Sequence, residues 1–175
     1  MENSKLIQTE TVLINASREK VWDILFNRFG QTHLYNPNIM GSHDTTSNQG
    51  EVGCERQCNI DKKTFIREKV IGVEEYNLIV IDTIGGNMPL VKHMQIKIKL
   101  EELSPSKTKV NMEAEYNTKP AFMAVLVRSM FKKMLTSVLI GLKYYLETGK
   151  TVSKENYKVI SKEYYSLPVG TTFNF

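Results

Sequence analysis

Between Asn38 and Asn117 the chain is a succession of short segments that alternate apolar and polar residues, and one long helical pattern follows them. That order constrains the fold more than any other feature. The segments are Asn38–Thr46, Glu51–Ile60, Thr64–Glu74, Leu78–Ile84, Leu90–Leu103 and Thr108–Asn117. The breaks between them, such as Asp61-Lys62-Lys63 and Glu75-Tyr76-Asn77, are too short for crossover connections, so sequence neighbours pair antiparallel. Upstream, Lys5–Ala16 reads as a further strand and Ser17 as the N-cap of a helix over Arg18–Phe29. Gln31–Pro37 then leaves room for one or two short helical turns. Downstream, Pro120 opens a helix that Gly149 closes. Seven antiparallel strands with one apolar face need a cover, and the last helix alone is long enough to supply it. The expected fold class is therefore α+β: a curved seven-stranded antiparallel sheet wrapped around a long C-terminal helix, with one helix and a short second helix after the first strand.

A chain of 175 residues has room for one domain with a sizeable core. We place that domain at residues 1–149 and treat 150–175 as a tail, docked or partly disordered, that carries Tyr157, Tyr164, Tyr165, Phe173 and Phe175. The net charge of +4 is spread along the sequence and gives no support for a nucleic-acid partner. Ala121–Leu146, the longest apolar segment, is interrupted by Arg128, Lys132, Lys133 and Lys143, so no membrane span is expected. With two cysteines and nothing resembling a signal peptide at the start, a cytoplasmic protein without disulfides is expected. Cys54 and Cys58 share one strand with α-carbons ~13 Å apart, too far for a disulfide or one shared metal ion. His33, His43 and His93 show no metal-ligand spacing, and no metal or cofactor is expected.

Three stretches carry a family resemblance. Ile14-Asn15-Ala16-Ser17-Arg18-Glu19-Lys20-Val21-Trp22 follows an "I-x-A-x-x-x-x-V-W" pattern in which a first strand runs into a helix. Gly53-Cys54-Glu55-Arg56 and, further on, Arg67-Glu68-Lys69-Val70 look like a "G-x-x-R" and "E-x-V" strand pair. In this order, and with the terminal helix, they resemble the START-like, or SRPBCC, superfamily over roughly residues 5–149, most nearly its polyketide cyclase/dehydrase-like branch. The resemblance implies a helix-grip fold with a cavity between sheet and terminal helix. Members hold lipids, sterols, hormones, polyketides or aromatic compounds, and the fold serves carriers, receptors and enzymes alike.

Strand alternation predicts what faces that cavity. Val52, Cys54, Arg56, Cys58 and Ile60 share the inward face of their strand, and a three-residue turn at Asp61–Lys63 sets Arg56 opposite Glu68 and Cys58 opposite Ile66. On the outer face the same register pairs Glu55 with Lys69. The next inward sets are Met94, Ile96, Ile98 and Leu100, then Val110, Met112, Ala114 and Tyr116. Projection of the last helix turns Met123, Val127, Met130, Met134, Val138 and Tyr145 inward, a methionine-rich wall that could repack around ligands of different shape or simply fill a core. Arg56 and Glu68, opposite charges on an inward face, must pair with each other. They either contact a ligand or merely order the strands. Tyr35 and His33 lie in the short segment that closes the cavity mouth in this fold.

The leading expectation is a non-enzymatic protein that binds a hydrophobic small molecule or lipid through Tyr35, Arg56, Cys58, Glu68, Met94, Ile96, Met112, Ala114, Tyr116, Met123, Val127, Met130 and Met134. An alternative is a cyclase, dehydratase or isomerase acting on a polyketide-like or aromatic substrate, with Glu68 as base and Arg56 stabilising an enolate. Against it, a glutamate held by an arginine is a poor base. A third reading is a protein-interaction module in which the tail contacts a partner or builds a homodimer.

Overall fold

In the computed structural model the described residues are 5–89, 91–118 and 124–166. Strand β1 (Leu6–Ile14) runs into α1 (Arg18–Trp22), whose first turn is capped by the Ser17 hydroxyl accepting from the Lys20 amide. The helix widens into a π turn over Asp23–Asn27, and a 3-10 segment over Phe29–Leu34 follows. Six strands come next: β2 (Gly41–Asp44), β3 (Glu55–Asn59), β4 (Phe65–Glu74), β5 (Leu78–Gly86), β6 (Val91–Ser104) and β7 (Lys107–Thr118). Two helices complete the described chain, α2 (Ala124–Thr148) and α3 (Lys154–Ser166).

The strands form one antiparallel sheet in the order β1-β7-β6-β5-β4-β3-β2. The meander is as expected, and β1 closes it by pairing with β7 from Leu6↔Tyr116 to Ile14↔Thr108. Along β7 every second residue, from Thr108 through Val110, Met112, Ala114 and Tyr116 to Thr118, is buried on the concave face. Irregularities in β4, between Arg67 and Glu68 and between Val70 and Gly72, break the ladder with β5. Such bulges bend a strand and raise its twist, which is what a sheet that wraps a helix requires.

Helix α2 lies against β1 and β7, and the 3-10 segment lies against β2 and β3. Gly141 is what lets α2 approach that segment: a Cβ there would overlap the Tyr35 carbonyl oxygen. Beside it the Asn38 side-chain amide donates to the Ser137 hydroxyl at 2.9 Å. Among the described residues no helix is long and apolar enough to cross a membrane.

Two expectations need correction. The inner face of α2 is Val127, Phe131, Leu135, Val138, Leu139 and Leu142, whereas Met130 is 45% exposed and Met134 only partly buried. The rotation has a cause: α2 buries a second face, where Ile140 and Tyr144 pack against Val152, Tyr157, Ile160 and Tyr164. A single-face projection averages the two directions. Met123 lies outside the described residues. Val52 is 51% exposed, because the chain turns at Gly53 (φ 94°) and β3 starts only at Glu55. The tail is helical over Lys154–Ser166 and docks on α2, tied further by the Val152 amide donating to the Leu34 carbonyl at 2.9 Å. Its Phe173 and Phe175 lie outside the described residues.

Candidate functional site

One row of residues crosses the concave face from β3 to β7. Arg56 pairs with Glu68, Glu68 with Thr83, and Met94 with Tyr116. Asp82 pairs with Gln95, which sets the next residues, Thr83 and Met94, side by side. Adjacent strands are ~4.8 Å apart, so the row spans on the order of 19 Å from Arg56 to Tyr116.

At the β3 end the row is charged and closed on itself. Arg56 Nε donates to Glu68 Oε2 at 2.7 Å, and Arg56 Nη1 donates to the Phe29 carbonyl at 3.0 Å. The guanidinium lies 3.9 Å from the centroid of the Phe29 ring, a cation–π contact. Cys58 Sγ lies 3.5 Å from the same Glu68 oxygen. Burial works against the Arg56 charge, yet Glu68, Cys58 and Tyr35 together hold the guanidinium protonated well above its ordinary range. Burial pushes the Cys58 thiol up, out of reach of a thiolate at neutral pH. Tyr35, 3% exposed and facing Arg56 and Thr32, is likewise raised by burial. Arg56, Glu68, Cys58 and Tyr35 are each engaged by another member of the cluster, and the Glu68 carboxylate already accepts from a cation.

At the β7 end the row is apolar with two hydroxyls. Tyr116 stacks on Phe131 with centroids 3.7 Å apart and planes at 7°. Its hydroxyl, and the Thr83 hydroxyl two strands away, are buried without a hydrogen-bond partner among the described residues. Val110, Ala114 and Phe131 have no accessible surface, so this half of the interior is packed solid between α2 and β7. Toward β3–β6 the apolar cover thins to partly buried Leu34, Ile39, Ile60, Val91, Ile96 and Met134. A separate surface groove between α1 and the end of α2, lined by Glu19, Lys20, Asp23, Arg28, Tyr145 and Leu146, is on the outside and away from this row.

Of the residues predicted from sequence, Arg56, Cys58, Glu68 and Tyr35 come together in the charged cluster. Met94, Met112, Ala114, Tyr116 and Val127 are buried within the core, and Ile96 is partly buried against it. His33 instead anchors the 3-10 segment to β2, its Nδ1 lying 2.9 Å from the Ser42 hydroxyl. Sequence reasoning missed Phe29, Thr83 and Phe131. Thr83 left one faint signal, a polar residue in step with the inward Ile79 and Ile81.

The concave sheet and its long helix are shared widely among solved structures. A START superfamily protein from Mycobacterium smegmatis is similar with a TM-score of 0.69 at 17% identity, over 82% of this chain and 99% of that one. The ginseng (Panax ginseng) major latex-like protein 151 is similar with a TM-score of 0.68 at 13% identity, over 81% and 97%. A Thalictrum flavum norcoclaurine synthase point mutant, in complex with a transition-state analogue, is similar with a TM-score of 0.67 at 14% identity, over 85% and 98%. At these identities the likeness is one of fold. No curated protein matches the sequence. The model of one family does match, over residues 7–147, from β1 to the last turn of α2, and the chain therefore belongs to the polyketide cyclase / dehydrase and lipid transport family.

Proposed function

We propose that this protein binds a hydrophobic small molecule or lipid on the concave face, between the sheet and α2. The observation that carries the reading is the state of the charged cluster. Glu68 accepts from Arg56 and faces the Cys58 thiol, so the buried carboxylate that an acid–base enzyme would use is already committed. What remains for a ligand is apolar wall, where Met94 and Met112, now buried, can repack around it beside partly buried Ile96. Burial of apolar ligand area at about 25 cal/mol per Å2 supports useful affinity without any catalytic group.

The test is native mass spectrometry of the purified protein, followed by denaturing analysis of whatever small molecule it releases. A stoichiometric organic adduct is expected. A clean unliganded mass that persists after incubation with lipid and aromatic extracts overturns the reading. Conversion of the offered compound, with loss of turnover in Glu68→Gln, favours the cyclase or isomerase alternative instead.

A further inference from the structure

Two buried hydroxyls on the row are left without partners, and each bears on what the site accepts. Tyr116 is 1% exposed, and its hydroxyl has no hydrogen-bond partner among the described residues. Around it stand Leu6 and Met94 in register and the Phe131 ring stacked on its own. Thr83 is the second case. Its register neighbour Glu68 is drawn toward Arg56 and Cys58, and the Thr83 oxygen is buried and unpaired among the described residues. Buried polar groups are nearly always satisfied, and an unsatisfied one calls for a missing partner.

Taking the ligand-binding reading above as its base, we infer that Tyr116 and Thr83 form a two-point hydrogen-bonding subsite for an uncharged, rigid, apolar molecule carrying two oxygens. The two residues stand on strands separated by β6, which sets their α-carbons on the order of 10 Å apart, two strand spacings. The ligand lies across the strands, with Met94 beneath its middle. Absence of charge follows from the row itself: Arg56 is occupied by Glu68 and by the Phe29 carbonyl, which leaves the subsite hydroxyls and hydrocarbon. The cation that acts on Tyr116, Arg128, is exposed on α2 and belongs to solvent. Burial keeps the Tyr116 phenol protonated, as a donor to a carbonyl must be. Since Phe131 is fully buried against Tyr116, a ligand enters by displacing that ring.

The experiment compares wild type, Tyr116→Phe and Thr83→Val by calorimetric titration with 5α-androstane-3,17-dione, a rigid neutral dione, and with the mono-ketone 5α-androstan-3-one. Nile red uptake serves as a control for apolar binding of any kind. Both substitutions delete a hydroxyl and keep the shape, so the unliganded variants should melt no lower than wild type. The dione should bind wild type one to one and each variant about tenfold more weakly, while the mono-ketone should respond to just one of the two substitutions. Equal dione affinity in all three proteins overturns the subsite, as does a lowered melting temperature in the unliganded variants, which would mean the hydroxyls have protein partners. Nile red uptake without dione binding also overturns the subsite and leaves ligand binding standing. Failure to take up either compound overturns the subsite and the proposed function together.

Discussion

Removing one member of the Arg56–Glu68 pair should cost far more than removing both. The side chains are 8% and 4% exposed and meet at 2.7 Å, so neither charge has water as a substitute partner. At an effective dielectric of about 20, opposite charges about 4 Å apart attract by about 4 kcal/mol. Arg56→Met deletes that attraction, orphans the Phe29 carbonyl and leaves Glu68 a buried carboxylate beside a neutral thiol. Uncompensated burial of this kind costs about 3–5 kcal/mol. Glu68→Leu strands the guanidinium, though the Phe29 carbonyl and ring still hold it, so its cost falls toward the lower end of that range. In the double variant no charge remains, and the residual loss is that of the orphaned carbonyl, about 1–2 kcal/mol. Urea unfolding of the four proteins, with midpoints and slopes fitted separately, measures the cycle. Each single loss should exceed the double by at least about 1 kcal/mol. Single losses below about 1 kcal/mol that simply add within about 0.5 kcal/mol would refute the reasoning, since the pair would then be solvated.

Other perturbations probe the packing around the site. Gly141→Ala places a methyl group on the Tyr35 carbonyl oxygen, and because backbone must move, urea unfolding should show a loss of at least about 1–3 kcal/mol. Ile160→Asp sets a carboxylate in the small cluster formed by Ile140, Val152 and Ile160, and should free α3 from α2, read as faster amide exchange over residues 154–166 while β6 and β7 keep their protection. Tyr164 is pushed up to about 12 by burial, reinforced by the Glu147 carboxylate. Its neutral hydroxyl is thus favoured when α3 is docked, a contribution fully present below the ordinary tyrosine range near pH ~10 and lost as pH rises through about 12. An ultraviolet absorbance titration should lose one late phenol ionisation in Tyr164→Phe.

How far the sequence reveals this site depends on what fixes each residue's face. The pairing of β3 with β4 was legible because both faces vote for one register: Arg56 with Glu68 inside, Glu55 with Lys69 outside. A slip by one residue would turn both charges of the inner pair to solvent and the outer pair to the core. The β6 and β7 faces were legible for the same reason, strict alternation across a long ladder. Helix α2 was not, because apolar residues serve two neighbours there, and the second of them, α3, is a polar and aromatic segment without an aliphatic stripe of its own.

Thr83 shows most clearly why local pattern could not complete the site. The turn at Glu75-Tyr76-Asn77 pairs Glu74 with Leu78, and unbroken pairing from there would set Glu68 against Ile84. The irregularity between Val70 and Gly72 leaves Ile71 unpaired and 44% exposed, and the ladder beyond it is shifted by one residue. Glu68 therefore meets Thr83, while Ile84, 45% exposed, is sent outward. The alternation of β5 already turns Thr83 inward with Ile79 and Ile81, and the bulge decides that the β4 residue it meets is Glu68. Strand alternation dictates the apolar wall, whereas a shift of one residue in β4 sets which polar side chains stand opposite one another across it.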